Sequence, residues 1–300
     1  MNKYLFKVSL KTLLIFFCCS NISCQENGLD DVIPTVGGEQ GPGDSVKDYK
    51  LPDIDLNHWK VTLPIGNPTE ISPPDILDYA RNETLKKFMY NDSTDGSLVF
   101  YTYPQASTAN SSYSRTELRE QMVPGSNNTN WTFVKGGKMK GTLSVPEVSL
   151  NDQGIPERVI IMQIHGRLTN EQKERIGAPD NNAPPVLKIY WDRGKIIVKT
   201  KELKDLQANE TEILRTSSWK DDSGHTFSKV VGNLKFTLEV QASAGKLVVI
   251  LDNDEKIVYE NIHLEKWNIF ENYFKAGNYL MSTDSESFSK VKYYNLEISH

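Results

Sequence analysis

Three short stretches carry side chains suited to moving a proton beside a negative charge. In "RVIIMQIHGR", residues 158 to 167, Gln163 and His165 interrupt an apolar run rich in β-branched residues. Such a run reads as a strand, and side chains two apart on a strand share a face, so the amide and the imidazole stand together. The same alternation in "SYSRTELRE" puts Arg115, Glu117 and Arg119 on one face and Thr116 and Leu118 on the other. In "NYFKAGNYLMS", residues 272 to 282, Tyr273, Lys275, Gly277 and Tyr279 lie opposite Phe274, Ala276 and Leu280. Side by side, the three strands make a polar wall.

A cation, a neutral amide, an imidazole and a phenol are together what β-elimination on a uronic acid requires. The C5 proton lies next to a carboxylate, so its removal would set a second negative charge beside the first. Donors from Arg115, Gln163 and His165 on the carboxylate oxygens relieve this by preorganised electrostatic stabilisation. At an effective dielectric near 20, a charge pair about 4 Å apart is worth roughly 4 kcal/mol, about three decades in rate if felt only in the transition state. The Tyr279 phenol serves as base or acid where neighbouring Lys and Arg favour its phenolate. No metal and no organic cofactor is expected. Each row alone has a plainer reading: a solvated face with weak salt bridges, an interior histidine held by Gln163, an exposed Lys and Tyr pair. Only the conjunction points to chemistry.

The elements that must position these rows are strands. "VLKIYWDRGKIIVKT" (186 to 200) and "KLVVILDNDEKIVYE" each set two apolar runs around a short polar turn, the signature of a hairpin. "KFTLEVQ" and "VKYYNLEIS" alternate apolar and polar residues. Helical periodicity is weak except over residues 74 to 90. Many short strands without a βαβ rhythm predict an all-β fold, an antiparallel sandwich or jelly roll. Residues 166 to 185, directly after His165, hold nothing apolar enough to pack and read as a long loop, a lid or a disordered excursion.

Ahead of the strands lies a different composition. Lys3, Lys7 and Lys11 edge a short apolar stretch from Leu13 to Cys19, the layout of an export signal over residues 1 to 23. Cys24 follows "NIS" and resembles the lipid-attachment cysteine of bacterial lipoproteins, although Asn21 stands where that motif prefers Leu. Residues 24 to 50, rich in Gly, Asp and Glu, read as a flexible tether, with the folded domain spanning 51 to 300. The expected product is exported, either secreted or held as an outer-membrane or cell-surface lipoprotein, its only membrane contact the lipid. All three cysteines, Cys18, Cys19 and Cys24, precede the domain, which therefore has no internal disulfide. Losing three lysines takes the formal net charge from −5 to about −8. An acidic chain of this kind excludes general nucleic-acid binding, and any polyanion must meet a locally basic cleft.

"SRTELRE", "QIH" and "YFKAGNY" resemble, in order and spacing, the three signature segments of the alginate lyases of polysaccharide lyase family seven. "LNHWKVTLPI" is similar to that domain's opening strand, and the resemblance covers about residues 52 to 300. It implies a β-jelly roll of two antiparallel sheets with a concave substrate cleft; separately, the chain is expected to act as a monomer. It also implies endo-type elimination on 1,4-linked mannuronate and guluronate, with alginate or a related polyuronate as the binding partner. Arg115 would bind the substrate carboxylate, with Gln163 and His165 completing its neutralisation. Tyr279 would be the general acid, and the base where the C5 proton faces it; His165 would be the base for the other epimer. Lys275 would hold charge near Tyr279, Arg119 and Glu117 would position substrate or Arg115, and Tyr273 would join the substrate-binding set. Leu280 and Met281 depart from the Asn and Gln that often follow the tyrosine, and Ser114 replaces a common proline. Ile164 is associated in the family with guluronate-containing stretches.

Other readings differ in what they need. A non-catalytic carbohydrate-binding sandwich relies on exposed aromatics, and Trp59, Trp131, Trp191, Trp219 and Trp267 do not cluster in sequence. A glycoside hydrolase needs two apposed carboxyl groups, and no strand shows the tight Glu and Asp alternation usual in sandwich hydrolases. A lyase on another polyuronate, such as glucuronan, would share the same chemistry.

Overall fold

Alternating burial along the strands builds two sheets whose apolar faces meet. The computed structural model describes residues 52–108 and 111–300; the export segment, Cys24 and the tether lie outside the described residues. One sheet runs in the order Glu255–Glu260, Lys246–Leu251, Phe236–Ser243, Gly137–Val148, Ser289–Ser299, Ser97–Thr102, Met89–Asp92, with Asp53–Ile54 added in parallel to Ser289–Ser299. The other runs Trp219–Asp221, Lys195–Leu203, Asn182–Asp192, Val159–Arg167, Glu271–Leu280, Arg115–Glu120, Trp59–Leu63, Thr69–Ile71. All three motif strands are neighbours in this second sheet.

Both expected hairpins form. Arg193 and Gly194 turn the first with φ of 52° and 77°, the positive values that a tight hairpin matching the strand twist requires. Between the sheets, Leu118, Met162, Ile164, Phe274, Ala276 and Leu280 are fully buried, and Trp131, Trp267 and Tyr293 fill the space around them. Asn278 ties the layers together: its Nδ2 donates to the carbonyls of Phe100 and Ser289 at 2.9 Å each, and its Oδ1 accepts from Ser289 Oγ at 2.7 Å.

Strict alternation breaks once where it matters. Between the 271–280 and 159–167 strands, Ala276 pairs with Met162 but Tyr279 pairs with Ile160, a bulge that offsets one side chain. Ile160 therefore joins Tyr190 and Tyr279 on the open face, while Ile161 is buried in the core. Gly277 sits at this bulge with φ of 140°. A Cβ there would lie 2.7 Å from the Thr116 carbonyl oxygen and 2.9 Å from Glu117 Cα, so only glycine fits.

Two expectations need correction. Residues 166–185 are not an extended loop: the strand continues to Arg167, an α-helix spans Asn170–Ile176, and the next strand begins at Asn182. Thr169 and Gln172 form a reciprocal capping box and Gly177 closes the helix in the left-handed region. Leu168 is buried and Ile176 packs against the core, so the arm is anchored at both ends. Residues 74–90 form no α-helix, only 3₁₀ turns at Asp75–Asp78 and Leu85–Lys87 that bury Ile76 and Leu85 before the strand at Met89.

Candidate active site

Seven adjacent strands, from Lys195–Leu203 to Thr69–Ile71, lie under a cleft of about 1650 Å³. Their register places Lys188 beside Gln163, Gln163 beside Lys275, Lys275 beside Arg119, and Arg119 beside Lys60, one row across the sheet. On one side of this row His165 pairs with Tyr273; on the other, Gly277 pairs with Glu117 and then Tyr279 with Arg115. Arg115, Gln163, His165, Tyr279, Arg119, Lys275 and Tyr273 all line the cleft.

Glu117 does not. It is fully buried beneath the floor, where one carboxylate oxygen is 2.5 Å from Lys275 Nζ and 3.4 Å from Arg115 Nη1, and the other accepts from Gln163 Nε2 at 2.5 Å. Its expected place among the substrate-binding groups is thus corrected, while the other role expected of it, positioning Arg115, matches its contacts and extends to Lys275 and Gln163. Arg115 and Lys275 share this single carboxylate, so the three groups together carry one net positive charge. Arg115 Nε is buried without a hydrogen-bond partner.

Charge near Tyr279 comes from Arg115, whose guanidinium lies 3.8 Å over the phenol ring, while Lys275 is turned to Glu117. This corrects the role expected of Lys275. Burial pushes the Tyr279 phenol up, and Arg115 pulls it back only in part, so the resting group is a protonated donor. Its hydroxyl hydrogen-bonds Ser111 Oγ, which also accepts from the Tyr113 amide at 3.1 Å.

His165 stacks on Tyr273 with ring centroids 5.2 Å apart and planes at 12°. Its Nδ1 is 3.0 Å from the Gly166 carbonyl, which can only accept, so Nδ1 carries the proton and Nε2 presents a lone pair. Burial, followed by the charge of Lys275, pushes the imidazole down to about 3, so it is neutral at ordinary pH. In this tautomer His165 is a base; the neutralising donors are Arg115 and Gln163. Arg119 lies 4.1 Å over the Tyr273 ring and donates to Glu120 O, Asn127 O and Asn130 Oδ1. Lys275, lowered by burial against the upward pull of Glu117, falls to about 8.

Several cleft residues escaped the sequence reading. Lys60, Lys188 and Tyr190 lie on strands whose alternation, applied to "WKVTL" and "KIYWD", would have found them. Lys201 and Arg167 were reachable in the same way. Ser111 belongs to no regular element and carries no such signal. Among the departures, Leu280 is buried in the core, whereas Met281 lines the cleft. Ser114 Oγ accepts from Gln105 N and donates to Ala106 O, holding the approach to Arg115. Among the described residues, no group of three or more His, Cys, Asp or Glu side chains is placed to hold a metal ion.

The comparisons with known proteins agree with this geometry. A family model described as alginate lyase matches residues 54–300. The solved alginate lyase A1-II′, a member of polysaccharide lyase family 7, is similar at 28% identity with a TM-score of 0.64, over 82% of this chain and 95% of that one. A variant of the same enzyme in complex with product (GGG) gives 26% identity and a TM-score of 0.66, over 83% of this chain and 97% of that one. The alginate lyase from Klebsiella pneumoniae, at 19% identity and a TM-score of 0.61 over 83% of this chain and 97% of that one, shares the fold. No curated protein matches the chain.

Proposed function

The chain belongs to the alginate lyase family and is a polysaccharide lyase, and from that premise we propose an endo-acting enzyme with guluronate or mixed-block preference. The observation that carries the mechanism is the cluster in which Glu117 fixes Arg115, Lys275 and Gln163 under a cleft bounded by Tyr279 and His165. A uronate carboxylate seats on Arg115 and the remaining amide hydrogen of Gln163, which lowers the barrier to losing the C5 proton. His165 Nε2 accepts that proton in guluronate. The Tyr279 phenol donates to the departing O4, and the C4–O bond breaks as the C4=C5 double bond forms. For mannuronate, whose C5 proton lies on the opposite side, Tyr279 must first give up its resting proton to solvent; the phenolate then takes the C5 proton and delivers that same proton to the departing O4.

Endo action is supported by a cleft that crosses seven strands, about 29 Å at the usual strand spacing. Ile164 faces the core, so any effect on block preference passes through the packing beneath Gln163 and His165. We also propose export and anchoring through Cys24, with the domain acting as a monomer; incorporation of labelled fatty acid into wild-type but not Cys24→Ala protein tests the anchor. The decisive experiment incubates the protein with alginate, polyguluronate and polymannuronate, following the ultraviolet absorbance of the new double bond and sizing the products. Early mid-length products, formed faster from guluronate-containing substrate, are expected. Unsaturated products from none of the three would overturn the function, and cleavage confined to polymannuronate would overturn the preference.

A further inference from the structure

The ionisable groups lining the cleft resolve into a small set of local charges. Lys60 pairs with Glu70 at 2.5 Å and Arg167 with Glu271 at 2.5 Å, so both are locally neutral. Asp180 is exposed at the rim and His165 is neutral. Three net positive centres remain. One is the Arg115, Lys275 and Glu117 cluster. The second is Arg119, which has no carboxylate partner among the described residues. The third lies on the other side of Gln163: Lys188 and Lys201 share Asp221, with Nζ–O distances of 2.6 and 2.7 Å.

This third centre is built from three neighbouring strands, Asn182–Asp192, Lys195–Leu203 and Trp219–Asp221, so its spacing is fixed by the sheet. Both lysines line the cleft, and their side chains are only 16% and 13% exposed. Burial pushes Asp221 up, yet the hydrogen bonds from Lys188 and Lys201 hold it below the usual carboxylate range, so the group keeps two cations and one anion. Lys188 stands in the same row as Gln163 and Lys275, one strand from the amide, and its Nζ is 5.9 Å from the Tyr190 ring that packs against Tyr279. A polyuronate carries one carboxylate per sugar. A floor with separate unit positive charges on both sides of the reacting position matches such a chain.

We propose that Lys188 and Lys201, braced by Asp221, form a carboxylate-binding subsite for the uronate next to the one held by Arg115 and Tyr279. This rests on the uronate-lyase reading of the cleft. The subsite makes cleavage depend on a sugar on that side, and so sets a minimum substrate length. Lys188→Gln leaves Asp221 neutralised by Lys201 and removes the net charge; a charge pair with a solvated substrate carboxylate, worth about 1 kcal/mol, corresponds to a roughly fivefold effect.

The test compares wild type, Lys188→Gln, Lys188→Arg and Lys201→Gln on alginate and on uronate oligomers of increasing length, with thermal melting in parallel. In the Gln variants KM for long substrates should rise about fivefold or more, mostly without a fall in kcat. The gain in kcat/KM on adding the sugar at this subsite should shrink, and Lys188→Arg should restore it. A merely structural ion pair would lower the melting temperature without touching the length dependence. If Lys188→Gln fails to fold, Lys201→Gln reads the same charge. Unchanged KM and length dependence in an active, folded Gln variant would overturn the subsite alone. Absence of unsaturated products from wild type would instead overturn the uronate-lyase reading.

Discussion

Replacing Glu117 by Gln removes one charge and almost no volume, so it isolates what that carboxylate does beneath the cleft. At 3.4 Å from Arg115 and an effective dielectric of about 20, the lost attraction is about 5 kcal/mol before relaxation. Removing one member of a buried ionic group typically destabilises by about 3–5 kcal/mol. For a domain of this size that is a fall in melting temperature of roughly 6–20 °C. A second effect falls on Lys275, whose value of about 8 is held up by Glu117 against burial and Arg115. In wild type the alkaline limb of kcat/KM should lie near 8 as Lys275 loses its charge; in Glu117→Gln it should move toward neutrality. The effect of the same titration on stability has the opposite sign. With a folded value near 8 and an unfolded one near 10.5, the unfolded chain binds more protons between them, so stability from this group rises with pH in that window while activity falls. Absorbance assays across pH and melting curves measure both. A variant that melts within about 2 °C of wild type and keeps its alkaline limb would refute the assignment of Glu117 as the shared counter-ion.

Tyr279→Phe should lower kcat by roughly 10²–10⁴ while polymer binding survives, because it deletes a proton donor and little surface; undiminished turnover would remove Tyr279 from the mechanism. His165→Ala should hurt guluronate cleavage more than mannuronate cleavage, and equal losses on the two polymers would undo the split assignment. His165, at about 3 folded against about 6.5 unfolded, should also make wild type lose stability as pH drops through that interval, and His165→Gln should flatten the decline in acid melting curves. Gly277→Ala should destabilise by about 2 kcal/mol or more, since its Cβ meets fixed backbone; a soluble variant with the wild-type melting temperature would contradict that.

Which side chains face the cleft was legible because a strand's period of two is a backbone property: Gln163 with His165, and Arg115 with Arg119, needed only counting. Depth was not legible. Glu117 obeys the same alternation as its neighbours, yet its short side chain is covered by the longer Arg115 and Lys275, turning an apparent surface group into a buried one. Pairing across strands was equally hidden, since register decides that Lys275 meets Gln163 and Arg119 while Arg115 covers Tyr279. The helix after His165 was missed because Ile176 is the one apolar residue among its seven and none of them is fully buried. Its signals were local ones, the Thr169 and Gln172 cap and Gly177, rather than periodic.

The irregular pairing at Gly277 has a consequence for anyone reshaping the enzyme. Upstream of His165, counting by twos would nominate Ile161 as the residue to alter near the phenol, yet that side chain faces the interior and its carbonyl accepts from Tyr293 Oη at 2.5 Å. Ile160 is the true wall. Libraries aimed at product size should therefore randomise position 160 and leave 161 untouched, and a one-residue insertion or deletion between 159 and 162 would exchange wall for interior in a single step.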